Sequence, residues 1–156
     1  RQFLNPGVVG VVKDALEVTG IDPALVEFEI TESMLIDKVE DARQSMDNLR
    51  ELGVQLAIDD FGTGYSSMSY LKEFPVNTMK IDRSFIASLD QGDEGLAIVT
   101  ALVALGKAMG LGVVAEGIEN AEQLALLEKS GCDFGQGFYI DRPMSLESLI
   151  EKISRP

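Results

Sequence analysis

Short apolar runs alternate with amphipathic stretches along this chain, and no two-residue hairpin signal joins any pair of runs. Strands are expected at 26–31, 54–59, 78–81, 112–115 and 134–139. Between them, apolar residues recur at three- and four-residue steps, the spacing of one helix face. Val39, Ala42, Met46, Leu49 and Leu52 form one such series, Ile98, Leu102, Leu105 and Met109 a second, and Leu124 and Leu127 part of a third. A strand–helix rhythm of this kind calls for parallel βαβ units with right-handed crossovers. The strand runs are apolar throughout rather than alternating, as in a sheet covered by helices. Two α/β architectures fit: an open doubly wound sheet, or part of a (β/α)8 TIM-like barrel. A whole barrel takes ~250 residues, and this chain has 156, so the second reading is an incomplete barrel of five parallel strands with flanking helices.

Punctuation along the chain agrees. Asn5-Pro6-Gly7 can open a helix that runs to about Thr19 and stops at Gly20; Gly53 and Gly110 end two others. Asp93, Asn120 and Ser145 are candidate helix caps. A Gly/Ser-rich loop is expected over 61–69, and a short helix over 68–73 cut off by Pro75. Neither an internal repeat nor an interdomain linker is visible, so residues 1–156 read as one domain.

The strand ends carry the chemistry. Glu29 lies near the end of the first run, Asp59 and Asp60 close the second, and Glu116 follows the fourth. If the strands are parallel, these acids gather at one edge of one sheet, where parallel folds place their active sites. Carboxylates held together repel unless a cation sits among them, so the pattern predicts a divalent metal site and a reaction on something anionic. Phe61-Gly62-Thr63-Gly64-Tyr65-Ser66-Ser67 follows directly and can close on a ligand as a lid. Lys80, set between Met79 and Ile81, can hold an attacking water or neutralise a developing oxyanion, or can be paired with Asp82 or another acid. Gln136 can orient a water or a base, and Cys132 reads as a buried small residue.

Composition narrows the classes. With no His, zinc–His sites and Ser-His triads are excluded, and catalysis must rest on Asp, Glu, Lys or metal-bound water. A net charge of −13, from 26 acids and 13 bases, argues against binding a nucleic-acid polymer through its phosphates. A small anionic substrate is still allowed, because a metal ion inverts the local field. One cysteine forbids an internal disulfide and fits a cytoplasmic setting. No apolar run approaches the ~18 residues of a membrane span.

Phe28-Glu29-Ile30-Thr31-Glu32-Ser33, the Asp59–Ser67 segment, Lys80-Ile81-Asp82, Ala115-Glu116-Gly117-Ile118-Glu119 and Gln136-Gly137-Phe138 stand in the order and spacing of the EAL domain family. The chain resembles that family from Arg1 to about Met144, five motifs in order. The resemblance implies a modified (β/α)8 barrel and a cyclic di-GMP phosphodiesterase of bacterial second-messenger signalling, opening one ester to give linear pGpG. It implies Glu29 and Asp59 as metal ligands, Asp60 at a second metal, Lys80 at the catalytic water and Glu116 as ligand or general base. It further implies supporting roles for Asp82, Glu119 and Gln136, and anchoring of the Phe61–Ser67 loop by Glu32. The cofactors would be two Mg²⁺ or Mn²⁺ ions, and the partners a second copy in a homodimer and attached GGDEF or sensor domains. The family's Glu-Ala-Leu motif and an upstream Asn ligand do not occur in these residues, which correspond to the C-terminal two-thirds of the domain. An alternative role is therefore a non-catalytic cyclic di-GMP-binding or dimerisation module. Asp141 stands where the family more often has a small residue.

Overall fold

The computed structural model describes residues 7–37, 39–64 and 72–154. Its elements are α1 (Val8–Thr19), β1 (Glu27–Thr31), α2 (Glu32–Asp37), α3 (Val39–Glu51), β2 (Gln55–Phe61), β3 (Thr78–Ile81), α4 (Arg83–Ser88), α5 (Asp93–Ala108), β4 (Gly112–Glu116), α6 (Ala121–Lys129), β5 (Phe134–Gln136) and α7 (Leu146–Ile153). The five strands form one sheet in the order β1-β2-β3-β4-β5, every neighbouring pair parallel. Sequential order without hairpins is the barrel-type arrangement rather than the doubly wound one, whose strand order reverses at a switch point.

The core follows from the strand sequences. Leu56, Ala57 and Ile58 are each 0% exposed, so consecutive residues of β2 are buried on both faces. Met79 and Ile81 of β3, Val113 and Ala115 of β4, Met46 and Leu49 of α3, and Val99 and Val103 of α5 complete the packing. Gly106 lets α5 approach the sheet: a Cβ there would lie 2.5 Å from Val113 Cγ2. Coverage thins toward the C-terminus. All three residues of β5 are exposed, and Leu146, Leu149, Ile150 and Ile153 form an exposed apolar stripe on α7. No described helix is long and apolar enough to cross a membrane.

Several local expectations need correction. Asp93 does not cap α5; the cap is Gly92, whose φ of 109° suits a residue without a Cβ, and Asp93 falls in the first turn, where its charge complements the helix dipole. Asn120 and Ser145 do cap their helices, accepting the Gln123 and Ser148 amides. Helices α2 and α4, six residues each, were not expected, because so few turns show no periodicity. Asp82 caps α4 by accepting the Ser84 amide at 3.0 Å. Strand β5 ends at Gln136 rather than at 139, because Gly137 meets the Ile118 backbone and the chain turns there. Asn5, Tyr65, Ser66, Ser67 and most of the 68–73 segment lie outside the described residues.

Candidate metal and catalytic site

The parallel register brings the strand-end acids together. Thr31 pairs with Asp59, Lys80 with Val114, and Glu116 with Gln136. Successive strand residues ordinarily point to opposite faces, so Asp59 and Asp60 should diverge. They do not, because β2 is irregular at this point. Ile58 pairs with Met79 but Phe61 with Ile81, leaving one extra residue on β2. Asp60 takes up the irregularity with φ at 55°, the one described non-glycine residue with positive φ. Asp tolerates that region better than most side chains, at a cost of about 1–3 kcal/mol. The result is that Asp59, Asp60 and Glu116 each offer a carboxylate oxygen within 4.8 Å of the others.

Lys80 occupies the middle of the acids. Its Nζ lies 2.6 Å from Glu29 Oε1, 2.7 Å from Glu116 Oε1 and 3.3 Å from Asp59 Oδ1, with its side chain 7% exposed. Burial pulls the Lys80 pKa down, but hydrogen bonds to Glu116 and Glu29 and the charges of Glu116 and Asp59 outweigh it, holding the ammonium above its ordinary value. Lys80 is therefore held as a charged ammonium, a hydrogen-bond donor and not a base. Burial raises the Asp60 carboxyl, with the charges of Asp59 and Asp82 adding to it against Lys80 and Arg83.

The donor set suits a hard divalent cation. It consists of carboxylate oxygens, without imidazole or thiolate, and Cys132 is engaged elsewhere with the Val113 and Phe134 carbonyls. Asp59 Oδ1 is buried and makes no hydrogen bond, although Lys80 stands at ion-pair distance. A buried carboxylate oxygen of this kind carries a desolvation cost that a cation would offset. Glu29 is not in the three-acid group; it joins the cluster through Lys80.

A cavity of about 650 Å³ opens beside the acids, with Asp60, Asp82, Glu116, Glu119 and Gln136 on its wall. Glu32 lies apart, buried behind the loop, where its Oε2 accepts the Gly62 and Gly64 amides. Arg83 and Arg142 also line the wall, with no role given to them by the sequence, as does Phe138, which the sequence marks only as part of the Gln136-Gly137-Phe138 motif. The Arg142 guanidinium carbon sits 4.5 Å from the centre of the Phe138 ring. The signal available was two arginines beside expected strand-end motifs in a chain otherwise rich in acids.

Fold and site together define a barrel-type parallel α/β domain with an acidic centre at its strand C-termini. The EAL domain family model matches residues 1–143, and the chain belongs to that family. It is 44% identical over 149 residues to the signaling protein YkoW of Bacillus subtilis, covering 96% of this chain and 19% of that protein. To the cyclic di-GMP phosphodiesterase NbdA of Pseudomonas aeruginosa it is 41% identical over 144 residues, 92% of this chain and 18% of NbdA. Among solved structures, a complex of the MucR phosphodiesterase PaMucR with c-di-GMP superposes with a TM-score of 0.91 at 42% identity, covering 95% of this chain and 60% of that one. The EAL enzyme Bd1971 in its cAMP- and cyclic-di-GMP-bound form superposes with a TM-score of 0.94 at 34% identity, covering 99% and 41%. The chain thus spans about a fifth of the length of the relatives it matches.

Proposed function

We propose that this chain supplies the catalytic face of a cyclic di-GMP phosphodiesterase that hydrolyses one phosphodiester bond to give linear pGpG. The observation that carries this reading is the convergence of Asp59, Asp60 and Glu116 around protonated Lys80 beside a cavity that also holds Arg83 and Arg142. Relatives and neighbours named as cyclic di-GMP phosphodiesterases, or solved with that ligand, support the choice of substrate.

Asp59 and Asp60 would hold the divalent cation, Mg²⁺ or Mn²⁺, with Glu116 as third ligand or as proton acceptor. When bound, the cation supplies Lewis-acid polarisation of the phosphate. Lys80 donates: its ammonium orients water or offsets charge on a phosphate oxygen. The water oxygen attacks phosphorus, its proton passes to a carboxylate, and the P–O bond to the departing ribose oxygen breaks. That oxygen takes its proton from solvent. Arg83 and Arg142 moderate the negative wall, so a dianionic dinucleotide can enter. The exposed Phe138 ring offers a stacking face for a base.

The test is chromatography of cyclic di-GMP incubated with the chain and Mn²⁺, beside Glu116→Gln. Appearance of pGpG with the unmodified chain alone supports the reading. Binding of cyclic di-GMP without cleavage, in both, would replace it with the non-catalytic binding module. Mn²⁺ affinity retained in Glu116→Gln assigns Glu116 as proton acceptor rather than ligand. Dimerisation, GGDEF or sensor partners and a cytoplasmic setting belong to this reading as expectations.

A further inference from the structure

The Gln123 side chain is 2% exposed, the one fully buried amide among the described residues. Both ends are used. Its Oε1 accepts the Glu119 amide at 2.8 Å, and its Nε2 donates to Asp90 Oδ2 at 2.9 Å. Its own backbone amide is capped by Asn120 Oδ1 at 2.8 Å. The amide has a single workable orientation: flipped, its NH₂ would face the Glu119 N–H and its carbonyl the Asp90 carboxylate.

This strut spans two segments that flank the site. Asp90 lies in the turn after α4, the helix that begins with Arg83. Glu119 is three residues beyond Glu116, across a bend made by Gly117 with φ at 77°. The bend is held from its other side as well: the Ile118 amide donates to the Gln136 carbonyl at 3.1 Å, and the Tyr139 amide to the Ile118 carbonyl at 3.0 Å. Residues 117–119 therefore sit in a clamp whose one jaw is the end of β5 and whose other jaw is Gln123. Glu116 enters that clamp from the strand, and Glu119 and Gln136 leave it on the cavity wall.

We propose that Gln123 is a positioning residue for the acidic centre: by bridging Asp90 to the Glu119 backbone it fixes the bend that sets Glu116 against Asp59 and Asp60. A purely space-filling role does not need an amide, since a Met of similar volume would fill the site without importing polar groups that must be matched. The activity arm of the test rests on the phosphodiesterase reading; the other arms do not.

Three variants of the full chain decide it: Gln123→Met, Gln123→Glu, and Gln123→Glu combined with Asp90→Asn. The first removes both bonds. The second keeps an acceptor for the Glu119 amide but sets a carboxylate against Asp90. In the double variant the new amide at position 90 donates to the new carboxylate at position 123, restoring the bridge with reversed polarity. The readouts are Mn²⁺ binding by calorimetry without nucleotide, hydrogen exchange at amides 117–119, and kcat and KM for cyclic di-GMP. Outer partners of metal ligands typically change affinity or activity by ~10–100-fold. The expected result is Mn²⁺ affinity about tenfold weaker and faster exchange at 117–119 in both single variants, kcat lowered more than KM is raised, and recovery to within about threefold in the double variant. Parental Mn²⁺ affinity and exchange in a folded Gln123→Met overturn the proposal. If that variant does not fold, the pair decides alone: a double variant no better than Gln123→Glu overturns it, and recovery supports it. Should the parent chain not cleave cyclic di-GMP, the phosphodiesterase reading falls while metal affinity and exchange still decide the role of Gln123.

Discussion

The Glu32 carboxylate accepts the Gly62 amide at 2.8 Å from 30 residues away in sequence. The same oxygen takes the Gly64 amide at 3.2 Å, and Glu32 is itself 3% exposed. The first turn of α2 thus holds the loop that leaves β2 directly after Asp59 and Asp60. Gly64 suits this close approach: a Cβ there would stand 2.9 Å from Glu32 Oε1, so the carboxylate would have to shift.

Glu32→Ala should cost about 1–3 kcal/mol, because it leaves amides without the acceptor they are built around. Glu32→Gln should cost less, since its carbonyl oxygen can take the place of Oε2 and accept both amides, with only the charge lost. Urea denaturation of the three proteins checks the order. Equal midpoints for Glu32→Ala and the parent would show that the loop is held by something else.

Asp60 combines a strained backbone with a functional side chain, and substitution can separate the two. Asp60→Asn keeps a side chain suited to positive φ, so stability should change by less than about 0.5 kcal/mol while Mn²⁺ affinity falls. Asp60→Gly removes the strain and the ligand together, and should be equal to or more stable than the parent by up to about 1 kcal/mol. Asp60→Val, β-branched and apolar, should lose about 1–3 kcal/mol. Thermal melts alongside Mn²⁺ titrations read both properties. A Val variant as stable as the parent would mean that the irregularity in β2 relaxes without cost.

Lys80 is the sole cation of either charge-bearing kind within ion-pair distance of Glu29, Asp59 and Glu116 among the described residues. Lys80→Met leaves the acids to repel one another, so the variant should be destabilised without metal by about 1–3 kcal/mol, less than for a fully buried pair because the Glu29 side chain is 51% exposed. Divalent cation should restore more of that stability than it adds to the parent; a ligand at 100 times its Kd contributes ~2.7 kcal/mol. On the phosphodiesterase reading proposed above, turnover should not return, since the ammonium is gone. Melting curves with and without Mn²⁺ test this, and an equal Mn²⁺-induced shift in parent and variant would count against a shared site.

How far these features are legible in the sequence depends on how local their causes are. The central strands are legible because burial on both faces makes Leu56-Ala57-Ile58 uniformly apolar. The gathering of Asp59, Asp60 and Glu116 follows from parallel strands ending in acids. What no periodicity announces is the extra residue that turns Asp60 toward Asp59, because the bulge depends on the pairing of Ile58 and Phe61 with β3. Arg83 reaches the cavity from the first residue of α4 and Arg142 from the segment between β5 and α7, rather than from the strand ends. Gln123 is the hardest case. A glutamine in an amphipathic helix reads as solvent-facing, and only the fold shows that Asp90 lies at its other end. The end of β5 is hidden for a similar reason: Phe134-Gly135-Gln136-Gly137-Phe138-Tyr139 is strand-like in composition, and the backbone of Ile118 stops it.

That last contact gives a sharp contrast between two glycines of the same strand end. A Cβ on Gly137 would stand 2.1 Å from the Ile118 carbonyl oxygen and 2.2 Å from its nitrogen. Backbone cannot step aside there without breaking the Gln136–Ile118 and Ile118–Tyr139 hydrogen bonds, so Gly137→Ala should shift the end of β5 off β4 and cost about 3 kcal/mol or more. A Cβ on Gly135 would meet Ile118 Cδ1 at 2.6 Å, the far end of a flexible side chain. A rotamer change absorbs that, and Gly135→Ala should cost about 1 kcal/mol or less. Because Gln136 and Phe138 line the cavity, Gly137→Ala should also weaken ligand binding at temperatures where the variant is still folded. Denaturation midpoints for the two variants, measured together with cyclic di-GMP titrations, check the pair. Similar losses in both would mean that the Ile118 bend moves freely, and that β5 is not held against it by close backbone approach.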